Sequence, residues 1–133
     1  MIQWNDSYST GVSELDSQHR VLFQYINRLE DANKAENVDA AEVGFILKFL
    51  ENYCKSHFSQ EERCMAERKC PVAAKNLDAH KKFLEFFGQI KDRHNREGAT
   101  RQLVKDVYEA SSAWLTNHIC GIDINLRGTS ASN

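Results

Sequence analysis

Four of the five histidines in this 133-residue chain stand where they could share one metal site. Each falls in a separate run of apolar residues spaced by three and four positions, as on one face of a helix. The four are His19, His57, His80 and His118. A lone histidine in such a stripe is more often a hydrogen-bonded core residue than a ligand. Four histidines on four stripes instead indicate a shared site, because each buried imidazole needs a partner.

Two carboxylates are placed to join the histidines. Glu61 follows His57 by four residues, about 40° around a helix, so both side chains share one face. Asp123 follows His118 by five residues, about 140° around a regular helix, so we expect a π-type bulge near Gly121 to return it. Imidazoles with carboxylates suit iron, zinc, copper or manganese, and two carboxylates with several imidazoles favour a dinuclear centre.

Four helices must position these residues. Apolar seams begin at Leu15, Val43, Asn76 and Leu103, and each continues at helical spacing. The interruptions between them are "ANKAENVDA", "RKCPV" with the only proline, and "NREGAT". Helices joined by short links pack as antiparallel neighbours. The sequence therefore predicts an all-α, up-down-up-down four-helix bundle with an N-terminal extended arm.

The antiparallel arrangement brings ligands from two helices to one height. Glu61 lies ten residues before Pro71, and His80 lies nine residues after it. The predicted site is therefore one cluster. A buried polar network without metal and a single structural zinc are the alternatives, although six ligand residues are too many for one zinc ion.

Composition limits the classes of function. A formal charge of -2, from 17 basic and 19 acidic residues, leaves no basic footprint for nucleic acid and no polybasic segment for a membrane surface. Neither a signal-peptide pattern nor an apolar run long enough for a membrane span is present in the sequence. We expect one cytoplasmic domain, residues 1–133, with small molecules or proteins as partners. The four cysteines lack a CxxC pair and are expected to be reduced thiols.

The chain carries four segments that are specific in combination: "WNDSYSTGVSELDSQHR", "HFSQEERCM", "HKKFL" and "WLTNHICGID". In this order and spacing they resemble the hemerythrin family, in its single-domain bacterial form, from Trp4 to about Leu126. The resemblance implies a non-heme di-iron centre, with an oxide or hydroxide bridge, that binds dioxygen reversibly. The implied ligands are His19, His57, His80 and His118 as terminal imidazoles, with Glu61 and Asp123 as bridging carboxylates.

Asn76 departs from the pattern of that family, which has two histidines at i and i+4 on its third helix. The segment "HKKFL" makes His80 the second of these, so Asn76 stands at the first. An asparagine amide is a poor iron ligand and ends about 2 Å short of an imidazole nitrogen. His94 cannot replace it, because it lies about 21 Å further along the helix. Each iron would then have two imidazoles, and the vacated position holds either a water bound by Asn76 or the Cys64 thiolate.

Other side chains near the predicted ligands have a core interpretation as well as a functional one. Four apolar residues pack at helical spacing and would also form a dry pocket for dioxygen. These pocket residues are Phe23, Phe58, Trp114 and Ile119. The simpler interpretation of Cys64 is a small buried hydrophobic residue. We expect the same role for Cys54 and Cys120.

Three functions remain open. The first, which the resemblance favours, is a protein that stores, transports or senses dioxygen. The second is a di-iron oxidase or peroxidase that uses the open position left by Asn76, where peroxide or a small anion would bind. The third is a signalling or metal-handling module without oxygen chemistry. The sequence thus favours an oxygen-binding protein over an enzyme.

Overall fold

The computed structural model describes residues 1–130 of the chain. Its helices are α1 (Ser13–Lys34), α2 (Ala40–Glu67), α3 (Ala73–Glu97) and α4 (Arg101–Gly121). Short 3₁₀ turns at Asp6–Tyr8 and Asp123–Leu126 lie before α1 and after α4. Residues 1–130 contain no strand, so the all-α prediction is confirmed. The predicted domain runs to residue 133, and its last three residues lie outside the described range.

The helices pack in a ring, in which α1 contacts α2, α2 contacts α3, α3 contacts α4, and α4 contacts α1. The links are residues 35–39, 68–72 and 98–100, and links this short make successive helices antiparallel. The predicted four-helix bundle is confirmed. Among the described residues, no helix is long and apolar enough to cross a membrane.

Local chemistry fixes where the helices begin and end. Asp39 caps α2, because its carboxylate accepts hydrogen bonds from the backbone N–H groups of Ala41 and Glu42. Thr100 caps α4 in the same way through the N–H of Leu103. Gly98 follows α3 with a φ of 78°, a left-handed conformation that glycine adopts without steric cost.

Two apolar clusters fill the bundle, one on each side of the predicted ligands. The larger cluster is formed by residues from all four helices, and Leu22, Phe58, Phe83 and Ile119 are its members nearest in sequence to a ligand on each helix. The smaller cluster consists of Leu15, Met65, Cys70 and Leu126. On α1 the ligand His19 lies between Leu15 of the smaller cluster and Leu22 of the larger one, and on α2 Glu61 lies between Phe58 and Met65. Both ends of the site are thereby sealed by apolar packing.

The N-terminal arm is tied to α1 and to the end of the described chain. The Asn27 side chain exchanges two hydrogen bonds with the backbone of Ile2, at 3.0 and 2.7 Å. The carboxylate of Asp16 accepts from the backbone N–H of Thr10 at 2.8 Å. The Arg127 guanidinium donates to backbone carbonyls of the arm. These bonds lay the arm along α1 from Asn27 to Asp16, and Ile2, Trp4 and Tyr8 of the arm pack against the larger apolar cluster.

The predicted π-type bulge near the end of α4 is wrong. The helix ends at Gly121, Ile122 takes φ -121° and ψ -59°, and Asp123 begins a 3₁₀ turn. The backbone therefore changes direction after the helix rather than within it. This change turns the Asp123 side chain inward, where it is 0% exposed.

The cysteines differ in burial, and all four are free thiols. Cys54 is buried as predicted, and burial raises the pKa of its thiol to about 12. Cys64 is half-buried. The prediction for Cys120 is wrong, because this side chain is exposed. It follows His118 by two residues, about 200° around the helix, so it faces outward when the histidine faces inward.

Candidate metal centre

The four histidines and two carboxylates meet at one place in the middle of the bundle. Their exposed fractions do not exceed 6%. One imidazole comes from each helix, Glu61 comes from α2, and Asp123 comes from the 3₁₀ turn after α4. The imidazoles form two pairs: the first imidazole pair is His19 and His57, and the second imidazole pair is His80 and His118.

Glu61 presents one carboxylate oxygen to each imidazole pair. Its Oε2 lies 3.2 Å from Nε2 of His19 and 3.2 Å from Nε2 of His57. Its Oε1 lies 3.0 Å from Nε2 of His80 and 3.6 Å from Nε2 of His118. The ligand atoms of Glu61 and either pair lie within 4.8 Å of one another, so the described residues form two groups able to hold a cation.

Asp123 repeats this arrangement from the other side. Its Oδ2 lies 3.2 Å from Nε2 of His19, and its Oδ1 lies 3.0 Å from Nε2 of His118. Although both oxygens are buried and close to imidazole nitrogens, neither accepts a hydrogen bond of acceptable geometry within residues 1–130. Ligands at right angles around a cation with bonds of about 2.1 Å lie about 3 Å apart. The short but misaligned contacts therefore fit ligands that converge on cations.

Hydrogen bonds to residues outside the predicted ligand set orient two of the imidazoles. Nδ1 of His57 lies 2.6 Å from Oε1 of Gln18, whose own amide donates to Gln60 at 2.7 Å. Nδ1 of His80 lies 2.8 Å from Oε2 of Glu62. An imidazole that donates through Nδ1 turns its Nε2 lone pair inward, toward a metal. Sequence reasoning missed both partners, and the acidic neighbour of Glu61 in "QEER" is the one signal that could have indicated Glu62.

Asn76 faces the second imidazole pair. It is 0% exposed, and its Oδ1 lies 2.9 Å from Nε2 of His118. Its Nδ2 is buried and has no hydrogen-bond partner in the described part of the chain. Cys64 packs beside the smaller apolar cluster and lies outside both groups of converging ligand atoms that residues 1–130 form. The structure thus brings Asn76, rather than Cys64, to the second pair.

Two of the four predicted pocket residues lie directly against ligand imidazoles. Phe58 stacks on His80 with ring centroids 3.8 Å apart and planes 6° apart. Trp114 stacks on His118 at 4.4 Å and 11°. The other two belong to the larger apolar cluster, where Phe23 and Ile119 are buried. The two stacked rings cover the faces of the His80 and His118 imidazoles and separate them from the larger apolar cluster.

Burial and the two carboxylates oppose each other in setting the charge of the imidazoles. Burial disfavours a charged His19 or His118, but the close carboxylates of Asp123 and Glu61 outweigh it and raise the pKa of each to about 9. Burial lowers the pKa of His57. Burial also acts to raise the pKa of Glu61, yet the hydrogen bonds of the four imidazoles hold it well below its ordinary value. The site therefore attracts positive charge, which protons supply when no metal is bound.

Comparison with known proteins decides the family. The family model described as the hemerythrin HHE cation binding domain matches residues 10–126, a span that contains all six predicted ligands. The chain belongs to the hemerythrin family. The resemblance stated from the sequence is confirmed, and the cation-binding description agrees with the two groups of converging ligand atoms.

Several relatives of this hemerythrin chain align over most of its length. A bacteriohemerythrin of Stenotrophomonas maltophilia (strain R551-3) is 28% identical over 123 residues, which are 92% of this chain and 77% of that protein. A bacteriohemerythrin of Pseudomonas aeruginosa (strain LESB58) is 30% identical over 117 residues, 87% of this chain and 72% of that protein. A hemerythrin-like protein of Nematostella vectensis is 33% identical over 135 aligned positions, 95% of this chain and 74% of that protein.

Proposed function

We propose that this chain binds two iron ions in a non-heme di-iron centre and uses them to bind dioxygen reversibly, for storage, transport or sensing. The first imidazole pair would hold one ion and the second pair the other, with Glu61 and Asp123 bridging. Dioxygen is the small-molecule partner in this proposal, and the cytoplasm is the location.

The observation that carries the proposal is the division of both carboxylates between the two imidazole pairs. Glu61 and Asp123 each turn one oxygen to His19 and the other to His118. A single cation would leave one oxygen of each buried carboxylate without a positive partner, which is unfavourable. Nitrogen and oxygen ligands with four imidazoles fit iron among the transition metals.

The protein residues would perform distinct tasks around that centre. When bound, the iron pair supplies reversible binding of dioxygen. Gln18 and Glu62 hold the imidazoles of His57 and His80 with Nε2 inward. Phe58 and Trp114 cover the second imidazole pair and exclude water from it. The exclusion of water limits proton transfer to bound ligand, which favours release of dioxygen unchanged.

The test combines elemental analysis with optical spectroscopy. The protein is loaded with ferrous iron without air, its iron content is measured, and its spectrum is followed as air is admitted and then removed. We expect about two iron ions per chain and a spectrum that returns when dioxygen is withdrawn. About one metal ion per fully loaded chain would contradict the dinuclear assignment.

Asn76 favours a second candidate function, a di-iron oxidase or peroxidase. The amide stands at a position where the family pattern has an imidazole, so an ion held by the second imidazole pair would lack that ligand. A peroxide or another small anion would bind at that position, and the unpartnered Nδ2–H group would donate to it. Catalytic turnover of peroxide, with an irreversible spectral change in air, would favour this function over the carrier.

A further inference from the structure

A groove runs along the surface between α2 and α3, toward the end of the bundle that holds the α3–α4 link. Residues 44–52 of α2 and 87–95 of α3 contain all of its lining residues. Its volume is about 450 Å³, within the range of about 300–1,000 Å³ that is usual for small-molecule pockets. None of the lining residues is a predicted metal ligand, so the groove is separate from the metal centre.

The floor of the groove is apolar. Its floor residues are Leu47, Phe87 and Ile90, which belong to the larger apolar cluster and are at most 7% exposed. Because core packing holds these side chains, they form a preformed surface. An apolar ligand that covers this surface would displace water from it, which is favourable.

The rim of the groove carries hydrogen-bond donors. The rim donors are Lys48, Asn52, His94 and Asn95, and their side chains form no hydrogen bond or ion pair with another described residue. Lysine supplies an ammonium group, each asparagine an amide NH₂, and the imidazole at least one N–H. Water satisfies such donors at a surface, and a bound anion would take its place.

The charge of the lining favours an anion. Glu51 is its one carboxylate, and its Oε1 lies 3.2 Å from Nζ of Lys55 and 3.4 Å from Nζ of Lys91. Two ammonium groups therefore balance that negative charge. Lys48 has no counter-ion among the described residues, so a cation in the groove would be repelled and an anion attracted.

Gly44 keeps space open in the α2 wall of the groove. It lies inside the helix, where glycine is unfavourable relative to alanine. A Cβ atom at this position would lie 3.9 Å from Cε1 of His94. A longer side chain would therefore occupy the space beside the imidazole, and the glycine leaves that space to a ligand.

We propose that this groove binds a small organic acid in its anionic form, with the carboxylate on the rim donors and an apolar body on the floor residues. An inorganic anion would leave the apolar floor uncovered, and a neutral apolar molecule would leave the Lys48 ammonium without a counter-ion. The proposal goes beyond the dioxygen-binding function and does not depend on it, because no lining residue belongs to the metal centre.

The first arm of the test titrates the iron-loaded protein with octanoate in a calorimeter. We expect saturable binding of about one octanoate per chain. Acetate, which lacks the apolar body, and octylammonium, which reverses the charge, should each bind about tenfold more weakly. No saturable binding at millimolar octanoate would overturn the proposal, as would octylammonium binding as tight as that of octanoate.

The second arm locates the binding with two charge variants. We expect Lys48→Glu to weaken octanoate binding about tenfold, because it removes the unpaired ammonium group and adds a carboxylate. Lys105→Glu makes the same charge change at an exposed position of α4 outside the groove and should bind octanoate as the natural protein does.

Two glycine variants test the space in the groove. Gly44→Leu should abolish octanoate binding, because the new side chain lies between α2 and His94. Gly88→Leu is the matched control, at an exposed α3 glycine outside the lining where a Cβ atom would meet nothing within 4 Å. Circular dichroism checks that each variant is folded. Octanoate binding that survives both Lys48→Glu and Gly44→Leu would place the ligand elsewhere and overturn the proposal.

Discussion

At the scale of single residues, Asn76 is a buried amide beside the second imidazole pair, where the resemblance stated from the sequence leads us to expect a histidine. Its Oδ1 lies against the second imidazole pair, and its Nδ2 is buried without a partner in residues 1–130. An amide at this position keeps the space polar without supplying a strong ligand. Asn76 should therefore change the chemistry of the centre more than the stability of the fold.

Replacing Asn76 by histidine should restore the third imidazole of the second metal position. With that position occupied, solvent and anions lose an exchangeable site, and irreversible oxidation should slow. We expect Asn76→His to lengthen the lifetime of the oxygen-bound protein, measured by absorption after air is admitted to reduced samples of both proteins. Equal lifetimes in the two proteins would mean that the substitution is silent.

Removing Glu61 should empty both metal positions. The carboxylate lies between four imidazoles, so its loss removes negative charge from both groups of ligand atoms. We expect Glu61→Ala to reduce the metal content from about two ions per chain to less than one, measured by elemental analysis after dialysis. Glu85→Ala, which removes an exposed carboxylate on α3, is the control and should retain both ions. Full metal content in Glu61→Ala would exclude a bridging role.

At the scale of elements, the end of α4 is as important for the site as the helices themselves. His118 lies in the last turn of α4, and Asp123 belongs to the separate 3₁₀ turn that follows. Because the helix stops at Gly121, both side chains turn to the same interior although their spacing is unsuited to one helix. The turn is held by Leu126, which packs in the smaller apolar cluster.

Helix capping offers a test of the elements that leaves the site untouched. Asp39 accepts hydrogen bonds from the N–H groups of Ala41 and Glu42 at 3.0 and 3.2 Å. We expect Asp39→Ala to lower the free energy of unfolding by about 1 kcal/mol, measured by urea titration. Asp39→Asn keeps the acceptor and should cost much less. Equal losses in both variants would show that the carboxylate charge, and not the cap, stabilises α2.

At the scale of the whole molecule, the site should couple metal binding to stability. Four imidazoles and two carboxylates are buried together, and without a cation they depend on shared protons. We expect chelation to lower the stability of the protein by several kcal/mol, measured as a fall in melting temperature by circular dichroism. An unchanged melting temperature would indicate that the metal contributes nothing to the fold.

The pH dependence of the metal-free protein follows from His19 and His118. The pKa of each is raised from 6.5 to about 9, so their protonation stabilises the metal-free fold fully below about pH 6.5. That contribution is lost as the pH rises through about 9. We expect a lower melting temperature of the metal-free protein at pH 9 than at pH 6.5, with His19→Gln reducing the difference.

The same protons should compete with the metal. Because metal ligands must be neutral imidazoles, loading at pH 7 should release about two protons per chain. Calorimetry in buffers of different ionisation enthalpy measures this release. Heats that do not depend on the buffer would contradict it.

The helices and most of the site could be predicted because their signals are local in the sequence. Apolar spacing of three and four residues identifies one buried face per helix, and each of four histidines lies on such a face. Glu61 shares the face of His57 because four residues make about one turn. The equal height of Glu61 and His80 follows from counting residues on either side of Pro71. These features need no knowledge of how one helix rotates against another.

The remaining features depend on how distant segments meet. The turn that directs Asp123 inward is set by the packing of Leu126 against Leu15 and Met65 at the same end of the bundle, and the helical period does not encode it. The partners of the imidazoles, Gln18 for His57 and Glu62 for His80, come from neighbouring helices. A hydrogen bond between side chains of two helices forms only when the relative rotation and axial shift of the helices bring donor and acceptor within a fraction of an ångström of the required distance. The packing of the whole core sets this rotation and shift, so only the tertiary structure determines them.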